Sequence, residues 1–508
     1  MPLPTAPSAR TPKELLGRGR VHMASNRGPV TFQPDSSGAL VATRGAGGVV
    51  TALTQVGRAL DGTWVAAAMS AGDREMVHRR GERFEMRIGL DPIRLRYLAV
   101  DPATYDRYYN GVSSSILWFL HHRMWHLRAD SGPDPLAPRS WTAYQAVNRR
   151  FADALAEEID RSGPAAVMLH DYHLMLASGY LRALAPDVVC SHFTHIPWAP
   201  PQGVRVLPGA IIEEMLEGML PNDLLAFQTP RWAANFLHCC HELRGAVVDP
   251  EDGVVEHKGP RTAVAAYPIS VDAEHLRELV ATAESSRHAD WLVRVTAGRR
   301  LILRVDRMEP SKNIVGGLRA YETLLCTGPE WRGRVVHLAL LYPSRQALAE
   351  YRAYEAEVLA LGRRINAEFG SDGWQPIVLR NDNNYVRALT CLGRYDVLVV
   401  NPLADGMNLV SKEGAVLNRN DGVLLLSRNA GSWNELGEAA LGVDPHDAAA
   451  TAEALHAALT MSPQARRTRA RALRDTVEQS PPYRWLHRQL DHLYRLRGPS
   501  ARSLAAVT

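Results

Sequence analysis

The chain predicts an α/β protein made of two halves, each a parallel sheet flanked by helices. Three observations carry this. Short apolar runs rich in β-branched residues alternate with helical segments, and alternating strand and helix builds a parallel sheet with its sites at the strands' C-terminal ends. The series restarts near Arg299, with a boundary around 270–295. A length of 508 residues also exceeds what one hydrophobic core serves.

In the first half, residues 20–32 read as a strand running into the polar turn Ser25-Asn26-Arg27-Gly28. Arg44 to Leu53 is a glycine loop entering a helix. Residues 140–160 have helical spacing. Ala165 to His173 is a strand ending in His170-Asp171-Tyr172-His173, and Val188 to Pro197 repeats that pattern. Leu224–Gln228 and Thr262–Pro268 read as further strands. In the second half the strands are Leu301–Val305, Val335–Leu341, Pro376–Leu379, Val397–Val400 and Gly422–Leu426, with a long helix over 346–369. Residues after Leu496 read as a loose tail, as does the Pro- and Ala-rich start.

Composition excludes several classes. No run of about 18 apolar residues is present, so no membrane span is expected. The net charge of +4 is small for this length, and the one basic run, Gln464–Arg474, reads as a solvated helix face begun by Ser462-Pro463. No nucleic-acid partner is expected. Five scattered cysteines and no apolar signal core predict a cytoplasmic protein without a disulfide framework. Only four lysines occur (Lys13, Lys258, Lys312, Lys412), which draws attention to sites needing a compact ammonium group.

The chemistry concentrates in a few segments. Tyr395–Leu403, an apolar run, leads through Asp405-Gly-Met-Asn-Leu409 into a helix containing Glu413. A strand, a Gly-containing turn and a helix N-terminus together cradle an anion. The flanking carboxylates Asp405 and Glu413 suit sugar hydroxyls, so the segment fits a nucleotide sugar. Arg307 and Lys312, five apart across a Pro-Ser turn, can converge on one phosphate. The histidines of 170–173 and 192–195 favour a hydrogen-bonding sugar site over a metal, because adjacent strand positions face opposite ways. His238-Cys-Cys-His241 falls inside a helix spanning Arg231 to Leu243, where only His238 and His241 share a face. Trp64, Tyr108-Tyr109-Asn110 and Trp118 are aromatic and polar groups for which core packing is the ordinary fate.

Together, in this order, Ser25-Asn26-Arg27, Gly47-Gly48, Tyr108-Tyr109-Asn110, Leu117-Trp118, His170 to His173, His195-Ile-Pro197, Phe227-Gln-Thr229, Pro268-Ile269, Arg307 to Lys312, Pro343-Ser-Arg345 and Asp405 to Glu413 resemble the retaining glycosyltransferases that make trehalose 6-phosphate. The resemblance spans roughly residues 20–495. It implies a GT-B architecture with an interdomain active site, and no metal or other cofactor. The implied division is a tail (1–15), an acceptor-binding domain (16–280), a nucleotide-sugar-binding domain (281–480), a C-terminal helix returning to the first domain (481–497) and a second tail (498–508).

The resemblance also implies roles. Arg27, Trp64, Tyr109, Trp118 and Arg345 would bind the acceptor, glucose 6-phosphate. Asp171 and His195 would meet the sugars at the reacting centre, and Arg307 and Lys312 would neutralise the leaving diphosphate. Gly48, Met407, Asn408 and Leu409 would face the donor. Asp405 would bind its sugar, Glu413 its ribose and Asn383 its base. The Asn381-Asp382-Asn383-Asn384 run favours GDP-glucose over UDP-glucose. Homo-oligomerisation is left open. The sequence departs from the family where Met308-Glu-Pro-Ser-Lys-Asn313 replaces Leu-Asp-Tyr-x-Lys-Gly and where Ser270 replaces a glycine. A pseudo-glycosyltransferase acting on cyclitols and a silent sugar-phosphate sensor are the alternative readings.

Overall fold

The computed structural model describes residues 20–44, 61–88, 91–128, 138–163 and 165–497. The expected tails and the glycine loop with Gly47 and Gly48 lie outside them. The chain divides into two compact units. One takes the residues up to His121, Gly132–Ile269 and Pro482 onward; the other takes His122–Ser131 and Ser270–Pro481. The division falls at Ile269/Ser270, ahead of the expected 280/281.

The strands of the first unit are β1 (Arg20–Ser25), β2 (Val30–Pro34), β3 (Leu40–Arg44), β4 (Thr63–Ala67), β5 (Arg83–Ile88), β6 (Asp91–Leu98), β7 (Ala165–His170), β8 (Val189–Thr194), β9 (Leu224–Phe227), β10 (Val247–Asp249), β11 (Val254–Glu256) and β12 (Arg261–Ala266). Ten form one sheet in the order β10-β11-β12-β9-β8-β7-β1-β4-β6-β5. Its centre is parallel, and β5, β10 and β11 join antiparallel at the edges. Every residue of β7, β8 and β9 is buried, as expected for a parallel sheet covered on both faces. β1 ends at Ser25, where the polar turn was expected, and beyond that turn β2 pairs with β3 in a separate hairpin.

Order in this sheet reverses between β1 and β7. β4 and β6 continue to one side, β8 and β9 to the other. Loops leaving the strands on either side of such a reversal form a crevice. Here they carry Asn26-Arg27 and Asp171–His173.

The second unit holds β13 (Arg300–Arg307), β14 (Val335–Tyr342), β15 (Ile377–Asn381), β16 (Val397–Val400), β17 (Val423–Ser427) and β18 (Leu441–Val443). They make a fully parallel sheet, β15-β14-β13-β16-β17-β18. Apolar clusters cover both faces, one around Leu303, Leu338 and Leu398, the other around Ile302, Ala339 and Val399. The alternation of neighbours between clusters is the period-2 geometry of a strand. Order reverses between β13 and β16, and the loops leaving these two strands carry Arg307–Lys312 and Asp405–Leu409.

The basic run Gln464–Arg474 lies in the helix Pro463–Glu478, capped by Ser462 as expected. It is not simply a solvated face. Arg466 is buried against Asp396, and Arg469 and Arg474 donate to carbonyls of Ala439 and Asn418. These three arginines tie the helix to neighbouring loops, while Arg467 and Arg471 face solvent. No helix among the described residues is long and apolar enough to cross a membrane.

Candidate active site

In the first unit the site is assembled around Asp171, at the end of β7. Its backbone has φ 74° and ψ 166°, a region that side-chain-bearing residues rarely adopt and that costs about 1–3 kcal/mol. Neighbours hold it there. Asp171 N donates to Phe193 O at 2.7 Å, His192 Nε2 bonds Asp171 O at 3.1 Å, and His195 N donates to the Asp171 carboxylate at 3.2 Å. The carboxylate of Asp171 and the backbone of His195 are thus joined across the ends of β7 and β8.

The imidazole of His195 turns inward. Ile269 N donates to Gln228 Oε1 at 3.0 Å, which leaves the Gln228 amide as donor to His195 Nδ1 at 3.1 Å. His195 Nε2 must then carry its proton toward His170 Nδ1, 3.4 Å away. Burial depresses all three histidines, His170 to about 3 and His192 to about 4, with His195 well below its ordinary value. They are neutral. Trp485, from the C-terminal helix Pro482–Arg497, packs at 4.9 Å from the Phe193 ring and 6.2 Å from His195. Gln228, His170 and Trp485 therefore fix His195; of these, the sequence motifs contained Gln228 and His170 but gave no sign of Trp485.

The aromatic candidates separate into two groups. Tyr109 lies between Tyr105 and His173, stacked on both at 5.8 and 5.9 Å. It is presented by an unusual π-helical segment, Arg107–Leu117, in which Ser113 and Ser115 hydroxyls bond carbonyls five residues back. Such segments often mark functional sites. Trp118 follows it and packs on Tyr172 at 5.9 Å. Trp64, by contrast, is only 2 % exposed, and its indole N–H donates to Ser25 Oγ at 2.8 Å. The structure makes it a core residue behind the Asn26-Arg27 turn, not the acceptor contact expected. Ser25 Oγ in turn donates to Arg27 O, and Arg27 is exposed. Gly28 closes this turn because a Cβ there would lie 2.3 Å from the Tyr97 hydroxyl.

The second unit brings Lys312 and Asp405, 93 residues apart, into a 2.5 Å ion pair with both side chains largely buried. Asn408 Nδ2 donates to the same carboxylate at 3.2 Å. Burial alone would lower the Lys312 pKa, but Asp405 and then Asp306 overcome it and hold it above the ordinary lysine value. Burial likewise raises the Asp405 carboxyl, and Lys312 more than reverses this. Asp306 stays at about 6, raised by burial and drawn back by Arg304 and Lys312. Arg304, fully buried, bonds Asp306, Asn401 and Lys312 O, fixing the Lys312 loop from below.

Asn408 caps the helix Leu409–Leu417 with its side chain on Ser411 N at 2.9 Å, at φ 102°. The first amides of that helix have no partner inside it, so Met407, Asn408 and Leu409 stand at an anion-favouring terminus. Ser432 N bonds Met407 O, and Gly431 allows the close approach: a Cβ there would meet Gly406 O at 1.9 Å. Further along the helix Glu413 is buried, accepts from Tyr385 Oη at 3.0 Å, and is pushed by burial up to about 7. Tyr385 directly follows Asn381–Asn384, so that run borders Glu413. Within it Asn384 caps the helix Tyr385–Leu392, Asp382 pairs with Arg387 at 2.5 Å, and Asn383 is exposed.

Arg307 and Arg345 meet at Glu309, which sequence reasoning passed over. Glu309 is fully buried and lies 3.2 Å from Arg307 and 3.5 Å from Arg345. Asn313 adopts φ 54°, the left-handed region open to glycine and tolerated by asparagine. That explains how asparagine stands where the family pattern has glycine. Among the described residues no group of three or more His, Cys, Asp or Glu side chains is arranged to hold a metal ion.

Two Rossmann-like units, each gathering its polar groups at the ends of parallel strands, define a glycosyltransferase of the GT-B class. The chain belongs to glycosyltransferase family 20, whose model matches residues 19–495. It is 32% identical over 454 residues to the UDP-forming alpha,alpha-trehalose-phosphate synthase 2 of Aspergillus niger, covering 88% of this chain and 91% of that protein. It is 32% identical over 479 residues to the bifunctional trehalose-6-phosphate synthase/phosphatase of Thermoproteus tenax, covering 92% of this chain but 62% of that longer protein. A crystal structure of the Burkholderia xenovorans UDP-forming alpha,alpha-trehalose-phosphate synthase with glucose-6-phosphate is similar at TM-score 0.79 and 26% identity, over 94% of this chain and 100% of that one. An Escherichia coli structure bound with UDP-2-fluoro glucose gives 0.80 and 26%, over 94% and 99%.

Proposed function

We propose that this protein transfers glucose from a nucleoside diphosphate donor to glucose 6-phosphate, giving α,α-trehalose 6-phosphate with retention of configuration. The observation that carries this reading is the buried Lys312–Asp405 pair at the N-terminus of the helix Leu409–Leu417. Breaking the anomeric bond leaves negative charge on the diphosphate. Lys312, Arg307 and the helix amides are preorganised donors for that charge. Asp405 serves the donor sugar, Glu413 the ribose, and the departing phosphate takes the acceptor's proton. Asp171, with the backbone of His195, serves the reacting sugars. Tyr109, Trp118, Arg27 and Arg345 serve the acceptor.

For the donor base the reading is GDP-glucose ahead of UDP-glucose. Tyr385 joins Glu413 to the end of the Asn381–Asn384 run, so a base on the ribose at Glu413 would meet that run. The Asp382 side chain is 54% exposed, and a carboxylate accepts from guanine's N1–H and N2 amino group together. The Aspergillus niger and Burkholderia xenovorans relatives are UDP-forming, so the base is where this chain would depart from them. Incubation with glucose 6-phosphate and either GDP-glucose or UDP-glucose, read by product mass and kcat/KM, tests both levels. No trehalose 6-phosphate from either donor refutes the activity, and a clear preference for UDP-glucose refutes the base.

A further inference from the structure

Glu309 lies on the loop leaving β13, and its carboxylate is wholly buried. One oxygen, Oε1, accepts from Ser344 Oγ at 2.6 Å and sits beside Nη1 of both Arg307 and Arg345. Ser344 and Arg345 belong to the next loop, after β14. The other oxygen, Oε2, is buried with no partner. Burial drives the Glu309 carboxyl upward, but Arg307, Arg345 and Lys312 together reverse this and hold it at about 2. It is an anion at any working pH, enclosed by three cations.

We propose that Glu309 is a positioning residue that holds Arg307 and Arg345 in register through a single carboxylate oxygen, linking the cation of the leaving diphosphate to that of the acceptor phosphate. This rests on the function proposed above. Arg345 has two further restraints, a 2.7 Å bond to Tyr351 Oη and a left-handed backbone at φ 42°. Arg307 is more open, with 52% of its side chain exposed. Removing the carboxylate has two opposing effects. It strips a neutralising charge, which raises phosphate attraction. It also leaves like charges to splay apart, which spoils geometry. Phosphoryl groups must sit within about 0.5 Å of the productive position, so the loss of order dominates.

The test compares wild type, Glu309→Gln, Glu309→Asp and Ser344→Ala as full chains, with both substrates varied and thermal stability recorded. Glu309→Gln should raise KM for donor and acceptor together by about tenfold and lower kcat by about a hundredfold. Glu309→Asp, which keeps the charge with a shorter reach, should fall between it and wild type. Ser344→Ala should shift both KM values a few-fold in the same direction. A change in one substrate's KM alone, a fall in both, or unaltered kinetics overturns the proposal. If Glu309→Gln does not fold, the Asp and Ala variants decide by the same criteria. Calorimetric binding of inorganic pyrophosphate, expected to be about tenfold weaker in Glu309→Gln or, failing that, measurably weaker in Glu309→Asp, judges Glu309 even if wild type makes no trehalose 6-phosphate. Unweakened pyrophosphate binding then overturns it.

Discussion

Lys312→Ala is the most informative single change. The ammonium group lies 2.5 Å from the Asp405 carboxylate and is largely shielded from water. At an effective dielectric of about 20, a unit charge about 4 Å from a developing anion is worth about 4 kcal/mol. Removing one preorganised donor from such a site typically costs about 3–4 kcal/mol, or about 10²–10³ in kcat. The same change strands Asp405 as a buried unpaired charge, with a stability loss of about 3–5 kcal/mol. Two effects must therefore be separated. The double variant Lys312→Ala/Asp405→Asn removes the stranded charge and should regain most of the stability but none of the turnover. Lys312→Arg keeps a cation but replaces a compact ammonium by a wide planar fork, and should recover only part of kcat. The assay is steady-state kcat and KM with product mass, beside thermal unfolding of each variant. Turnover near wild type in Lys312→Ala, measured on folded protein, would remove this residue from the chemistry and undo the reasoning.

Arg27→Ala and Arg345→Ala should each raise KM for glucose 6-phosphate by at least tenfold while changing donor KM little for Arg27, because fixed cations are what a phosphate dianion requires; loss of donor affinity alone in either variant contradicts the assignment. Glu413 should impose a pH dependence on the donor. Its carboxyl is pushed up to about 7, and only the ionised form accepts two ribose hydroxyls, so donor KM should climb toward tenfold per pH unit as pH falls below about 7. The stability effect has the opposite sense. A folded pKa above the unfolded value contributes stability that is fully present in acid and lost as pH rises through about 7. Glu413→Gln should flatten both profiles, and an unchanged donor profile in that variant would exclude Glu413 as their source.

Much of this could be read from the sequence, for identifiable reasons. Parallel strands buried on both faces announce themselves as continuous apolar runs, as in β16 and β17, and the residues just past the strand ends were the candidates the sequence offered. Arg307 and Asp405 stood out because each follows such a run, and Lys312 because it lies five residues from Arg307 in a chain with only four lysines. Glu309 did not, since an acid in a polar loop is ordinarily solvated, and only the fold brings the two arginines to it. For Trp64 the residue-level expectation of core packing was the better guide: the acceptor role came only from the resemblance, and its N–H is spent on Ser25. β5 and β6 were overlooked because Arg83-Phe-Glu-Met-Arg-Ile and its partner alternate charged and apolar residues at a sheet edge, without the continuous run that marked the others. The π-helical segment has no sequence signature, because its i→i+5 bonding shows only in three dimensions.

Half of the strained backbone positions fall at the candidate site segments. Asp171, Asn313, Arg345 and Asn408 are among the eight described non-glycine residues with positive φ, and each sits on a loop leaving a parallel strand. Such conformations persist only where surrounding contacts impose them, and here they aim carboxylate, ammonium and guanidinium groups that ordinary turns would spread. Asn313 allows this to be measured, because it directly follows Lys312. Its side chain bonds the carbonyls of Asn401 and Pro445 at 3.2 and 2.7 Å, and both bonds vanish equally in Asn313→Gly and Asn313→Ala. The difference between those variants isolates the backbone. Alanine normally stabilises relative to glycine by about 0.4–1 kcal/mol through the unfolded chain. At φ 54° the left-handed penalty of about 1–2 kcal/mol opposes it and wins. Asn313→Ala should therefore unfold more readily than Asn313→Gly by up to about 1.6 kcal/mol, and it should lose more turnover, since the loop can relieve its strain only by moving Lys312. Denaturant titration and kcat on the two variants check this, and an alanine variant as stable and as active as the glycine one would show that the left-handed turn is not what holds Lys312 against Asp405.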